Sequence, residues 1–192
     1  FLFASRDVWF VVGVPIFLYS RLGWSFDQVG AFMATWVIGY GVVQAGVPRA
    51  LSGTMNPERG ARAAKLWGSI LILVPATLAA AMATVPSAGL LIGGLYVFGL
   101  VFAVNSALHS YLIVAYSDAD KVALDVGFYY MANALGRLGG TLLSGLVYQV
   151  AGLSATLWAS AAMVAVAVLF TLPLTTEVKS STTDIIGKDA KP

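Results

Sequence analysis

The stretch Tyr129-Tyr-Met-Ala-Asn-Ala-Leu-Gly-Arg-Leu-Gly-Gly-Thr-Leu-Leu-Ser-Gly-Leu-Val-Tyr148 lies inside an apolar run from about Ala123 to Gly152. A run of that length crosses a hydrocarbon core of ~30 Å as a helix. Arg137 sits near its middle, where a cation costs ~2.5–3.5 kcal/mol on insertion scales. Helical periodicity divides the stretch into faces. Tyr130, Asn133, Arg137, Thr141, Ser144 and Tyr148 form a polar stripe, and Met131, Leu135, Leu138, Leu142 and Leu146 an apolar stripe roughly opposite. Gly136 and Gly140 lie beside the polar stripe, a small-xxx-small pair that lets a neighbouring helix approach closely. A plain lipid-facing anchor needs no continuous polar face. The helix reads instead as the wall of a polar, wet cavity.

The rest of the chain has the same character. Of 192 residues, 59% are hydrophobic and 10% charged, against roughly 25% charged in soluble domains. The chain is therefore an integral membrane protein. A net charge of +2 carries no nucleic-acid signal. There is no cysteine, which excludes disulfides and thiolate metal sites. The chain opens on Phe1, already inside a hydrophobic segment and with no signal-peptide pattern. It is expected to be a fragment cut upstream.

Six apolar segments can be drawn: Phe1–Ser20, Phe26–Pro48, Leu66–Val85, Gly89–Tyr116, Ala123–Val150 and Leu153–Pro173. Arg49 to Lys65 is expected to be the longest loop, Pro86-Ser-Ala88 and Ala151-Gly152 very short turns, and Ser117–Lys121 a charged turn. Residues 1–174 then form one six-helix transmembrane unit, and 175–192, rich in Thr, Ser, Lys and Asp, a disordered cytoplasmic tail. Alternate loops place Arg49, Arg59, Arg62, Lys65, Lys121, Lys179, Lys188 and Lys191 on one side, and only Arg21 on the other. The positive-inside bias makes the first side cytoplasmic, together with both ends of the chain.

The segments differ in kind. The third and sixth carry only scattered Ser and Thr and look like lipid-facing scaffold. The second has a face of Met33, Trp36, Tyr40 and Gln44; the fourth gathers Phe98, Phe102, Asn105, His109 and Tyr116 within one arc; the first carries Arg6-Asp7, then Gly13 and Pro15, which loosen or bend it. Polar features thus fall on segments one, two, four and five. That is the pattern of two three-helix repeats, each giving its first two helices to a central cavity.

With these features the chain resembles the C-terminal half of a twelve-helix major facilitator superfamily transporter. Asn56-Pro-Glu-Arg-Gly-Ala-Arg62 partly resembles that family's G-x-x-x-D-R-x-G-R-R loop motif, with a different spacing of basic residues. Ser5-Arg-Asp-Val-Trp-Phe-Val-Val-Gly-Val-Pro15, Asn105-Ser-Ala-Leu-His-Ser-Tyr111 and Gly127-Phe-Tyr-Tyr-Met-Ala-Asn-Ala-Leu-Gly-Arg137 look like the ArsJ-type organoarsenical efflux permeases. The resemblance implies a bacterial inner-membrane protein that exports 1-arseno-3-phosphoglycerate, made by a partner glyceraldehyde-3-phosphate dehydrogenase. It also implies an N-terminal six-helix half outside this chain. The cargo could equally be another small organic anion.

Each candidate residue has a plain alternative. Arg137 either grips an anionic substrate, its planar fork matching phosphate, arsenate or carboxylate oxygens, or pairs structurally with a carbonyl or a carboxylate of the other half. Asn133, one turn away, is its natural neighbour, and Tyr130 shares the stripe; Tyr129 does not and reads as packing. Arg6 either joins Arg137 on the substrate or snorkels at the interface, with Asp7 anchoring an arginine or carrying a proton. His109 and Asn105, one turn apart, either line the cavity or pack; His109 titrates in a range that transport can use. Gln44 completes the candidate substrate contacts. Asp118, Asp120, Lys121 and Asp125 are either a solvated turn or an inner gate with Arg59 or Arg62.

The missing chemistry narrows the function further. Arsenite favours thiolates, and this chain offers none, which suits an oxyanion-like cargo. One histidine and no carboxylate cluster in the spans leave no metal site, no cofactor motif and no catalytic dyad. A rhomboid-type protease needs G-x-S-G, whereas Leu142-Leu143 precedes Ser144. A self-contained six-helix carrier working as a homodimer is the remaining alternative, open only if Phe1 lies close to a true start.

Overall fold

The computed structural model describes residues 1–6, 12–51, 55–85, 87–118 and 120–172. Among these every regular element is an α-helix: α1 (Leu2–Ser5), α2 (Gly13–Leu22), α3 (Phe26–Leu51), α4 (Pro57–Thr84), α5 (Ala88–Tyr116) and α6 (Val122–Thr171). The protein is an all-α membrane helical bundle. Helices α3 to α6 are each long and apolar enough to cross a membrane.

The first expected segment is divided into the short α1 and the ten-residue α2. The fifth and sixth are joined in α6, whose 50 residues contain one non-helical position, Gly152, at φ 73° and ψ −171°. That left-handed φ costs glycine little, and it splits α6 into arms 122–151 and 153–171. Tyr148 and Thr156, from opposite arms, both come within 3.4 Å of a Cβ built on Gly13. Ser154 donates to the Ala79 carbonyl, and Val168 crowds Gly68. The second arm therefore runs antiparallel to α4, as expected of a chain that turns back at Gly152.

The expected loop from Arg49 to Lys65 is corrected. Helix α3 continues to Leu51 and α4 begins at Pro57, so Arg59, Arg62 and Lys65 lie on the first turns of a helix. Asn56 caps it, its side-chain oxygen accepting the Arg59 backbone N–H at 2.8 Å. Pro57 takes the first helical position, where its missing N–H costs nothing, and Glu58 sits favourably in the first turn.

Helix α4 packs against both α5 and α6, α3 against α5, and α1 and α2 against α6. Its inner stripe, from Gly60, Ala64 and Gly68 through Leu71 and Leu78 to Met82, is buried, while Leu66 and Leu73 face outward. This one-sided burial is that of a helix covering the back of a bundle. The small pair on α6 serves α1: a Cβ on Gly136 would stand 2.3 Å from the Phe1 carbonyl oxygen, and one on Gly140 2.7 Å from that of Ser5. Such contact lets α1 lie directly on the arm that carries Arg137. The tail 175–192 lies outside the described residues.

Candidate anion-binding cavity

The cavity is framed by aromatic rings. On α3, Trp36 and Tyr40 stand one turn apart and turn toward α5. The Trp36 indole N–H donates to the Leu95 carbonyl at 2.7 Å. Gly99 makes that approach possible, since a Cβ there would lie 3.1 Å from the indole. The Trp36 and Tyr40 rings stack at 5.9 Å and 17°, and Tyr40 stacks on Phe102 at 4.8 Å and 13°.

The guanidinium of Arg6, just beyond α1, lies on this frame. Its Cζ is 3.5 Å from the Phe102 ring centroid and 4.4 Å from that of Phe3, and it donates to the Phe3 carbonyl. Arg6 is only 3% exposed. A buried cation is costly unless other groups take over from water, and ring faces with a carbonyl oxygen do part of that work. Its side chain is packed within the protein and does not extend into solvent. Asp7 lies outside the described residues.

Asn133 and Arg137 approach from α6. Together with Arg6, Trp36, Val37, Tyr40 and Phe102 they line a cavity of about 180 Å³. Two guanidinium groups and one amide thus share a small space, and none of these lining residues is acidic. The sequence places Arg6, Asn133 and Arg137 among the substrate contacts, and Trp36, Tyr40 and Phe102 on the cavity-facing arcs of the second and fourth segments without a contact role. Their signal was visible in the aromatic spacing 36/40 and 98/102 on the inner faces of the second and fourth segments.

The other candidates stand apart from the cavity. Tyr130 is 62% exposed, whereas Tyr129 lies near Ser110 and Asn133. Gln44 donates to the Ser106 hydroxyl at 3.3 Å. His109 packs on the Phe3 ring, centroids 4.2 Å apart. Asn105 is fully buried and points into the seam with α4, its amide nitrogen 3.3 Å from a Cβ built on Gly68. Neither of its amide atoms has a hydrogen-bond partner among the described residues. It lines no part of the cavity.

Among the residues considered for a gate, Arg62 and Asp118 form local pairs. Arg62 lies 3.2 Å from Glu58 in its own helix, and Lys121 lies 3.7 Å from Asp118. Both pairs are solvent-exposed and contribute little to stability. Arg59 and Asp120 are exposed at the same end of the chain's helices. Of the polar stripe, Ser144 does structural work: its hydroxyl accepts the backbone N–H groups of Val12 and Gly13, each at 3.2 Å, where α2 begins. Among the described residues no group of His, Asp or Glu is placed to hold a metal ion.

Comparison with known proteins adds one finding. A family pattern, that of the Major Facilitator Superfamily, matches residues 1–191. None of the curated proteins matches, and no solved structure does.

Proposed function

The chain belongs to the major facilitator superfamily, a family of membrane transporters, and from that premise we propose that its cavity binds a small organic anion carried by alternating access. The observation that carries this reading is the meeting of Arg6, Arg137 and Asn133 at one cavity. Guanidinium forks suit phosphoryl, arsenyl and carboxyl oxygens, which accept paired hydrogen bonds. In transporters built from two halves the substrate lies between them, so this cavity is one wall of the complete site and a second six-helix half supplies the other. The finer reading is export of 1-arseno-3-phosphoglycerate, supplied by a glyceraldehyde-3-phosphate dehydrogenase, across a bacterial inner membrane. Its support is the resemblance of the stretches around Arg6, Asn105 and Arg137, which are also the stretches that build and flank the cavity.

The test uses everted vesicles bearing the complete protein, given arsenate, glyceraldehyde-3-phosphate and the dehydrogenase. Arsenic should accumulate in these vesicles and not in vesicles lacking the protein. Equal arsenic in both, with accumulation of a phosphorylated or carboxylated compound in the first alone, would leave the second reading: a carrier for a different organic anion. The geometry accommodates it, since no contact in the cavity is peculiar to arsenic.

A further inference from the structure

We infer that Gln44, Ser106 and Tyr129 form an uncharged subsite adjoining the cavity, and that the anion carried there bears a hydroxyl group which this subsite recognises. This rests on the anion-transport reading and deepens it by naming a substrate class, a hydroxylated organic anion. Three helices bring the subsite together. Gln44 stands one turn beyond Tyr40 on α3, Ser106 one turn beyond Phe102 on α5, and Tyr129 one turn before Asn133 on α6. Tyr40, Phe102 and Asn133 all line the cavity. Helices α3 and α5 run the same way, since Trp36 bonds Leu95 and Gln44 bonds Ser106. The first arm of α6 runs the other way: Tyr129 lies near Ser110, while Arg137 shares the cavity with Phe102. All three steps therefore lead about 5.4 Å in one direction along the bundle, from the ring-lined cavity to a layer of amide and hydroxyl groups.

The groups of this layer are linked but not saturated. The Gln44 amide nitrogen donates to the Ser106 hydroxyl at 3.3 Å, and the Ser110 hydroxyl donates to the Ser106 carbonyl at 3.1 Å. These bonds fix the Gln44 side chain on α5 and leave its amide oxygen without a partner among the described residues. Ser106 is 9% exposed, and Gln44, Ser110 and Tyr129 are half-buried. Polar side chains within membrane-crossing helices face the bundle interior or a wet cavity, where an open acceptor is costly unless something donates to it. A hydroxyl group on the ligand donates to that oxygen. All four side chains are uncharged, so the layer matches a hydroxyl and offers no counter-charge to a second anionic group.

The proposal is tested on the complete protein in detergent with two probes: 3-phosphoglycerate, and 3-phosphooxypropanoate, which lacks only the 2-hydroxyl. Wild type should bind the hydroxylated probe about tenfold more tightly, the weight of a hydrogen bond together with the partner that its loss leaves unpaired. Gln44→Met keeps the side-chain length and removes the amide; Tyr129→Phe keeps the ring and removes the hydroxyl. The ratio of the two affinities should fall to about twofold or less in Gln44→Met, and by at least about threefold in Tyr129→Phe. With two variants, a folding failure of one leaves the other to report. A seam that only holds the helices together would weaken both probes equally. An unchanged ratio in either folded variant therefore overturns the inference, as does a wild type that binds the two probes alike. Wild type that binds neither probe sinks the anion reading and this inference with it; binding of both without preference sinks this inference alone.

Discussion

The Ser144 hydroxyl oxygen lies 3.2 Å from the Gly13 amide nitrogen and accepts its hydrogen bond. It accepts a second from Val12 at the same distance, and Ser144 is fully buried. These N–H groups open α2 and have no carbonyl one turn back to bond within that helix. One side chain on α6 thus completes the start of α2, on the segment that also bears Arg6. Ser144→Ala strands both donors and should cost about 1–3 kcal/mol. A lowered thermal midpoint of the purified protein in detergent checks it, and an unchanged midpoint would mean that the α2 start is satisfied in another way.

A second prediction follows from the close approach of α1 to α6. Gly136→Ala places a methyl against the Phe1 carbonyl at 2.3 Å, and Gly140→Ala one against Ser5 at 2.7 Å. Neither obstacle is a flexible side-chain tip, so α1 must move. Arg6 then leaves its position over Phe102. Both variants should lose folded protein or anion binding, whereas Gly145→Ala, which meets nothing within 4 Å, should be tolerated. Fluorescence-detected size exclusion with a binding assay distinguishes them. Equal behaviour of all three variants would remove the packing account.

Much of this arrangement could be read from the chain, and the misses have physical causes. The spacing of Gly136 and Gly140 announces a close helix neighbour, because small residues one turn apart have few other uses in a membrane helix. The start of α4 escapes a hydropathy reading although Asn56-Pro57-Glu58 spells a capped helix N-terminus. Hydropathy registers only apolar stretches, and the first turns of α4 carry Glu58, Arg59, Arg62 and Lys65. The burial of Arg6 could not be read locally, since its ring partner Phe102 lies 96 positions along the chain by the numbering. Tyr129 and Tyr130 were separated by helical phase alone. Which of them reaches Asn133 depends on where α5 presents Ser110, and the wheel carries no information on that.

Asn105 illustrates the same limit and gives a third prediction. It shares an arc with Phe102 but projects toward Gly68, buried and with both amide atoms unsatisfied among the described residues. Asn105→Leu exchanges an uncompensated polar group for an apolar one of similar size. It should leave stability unchanged or raise it by about 1 kcal/mol, with transport intact. Transport lost in a folded Asn105→Leu protein would return Asn105 to the substrate contacts.

The orientation of the helices is a fourth. The chain contains no cysteine, so single cysteines can be introduced and probed with an impermeant thiol reagent on intact cells. The exposed Ser25 between α2 and α3 should label. The exposed Asn56 and Asp120, at the basic end, should not. The opposite pattern would invert the topology.

The most direct test of the cation-lined cavity is substrate-dependent transport into everted vesicles by wild type, Arg137→Lys and Arg137→Ala, normalised to folded protein. Arg137→Lys keeps the charge and loses the planar fork. If Arg137 grips the anion, transport per folded molecule should fall at least about tenfold in Arg137→Lys, the weight of one lost charge-assisted hydrogen bond, and further in Arg137→Ala, with both proteins still accumulating. Wild-type transport in Arg137→Lys, or loss of folded protein in Arg137→Ala because a buried carboxylate has been stranded, would contradict the account.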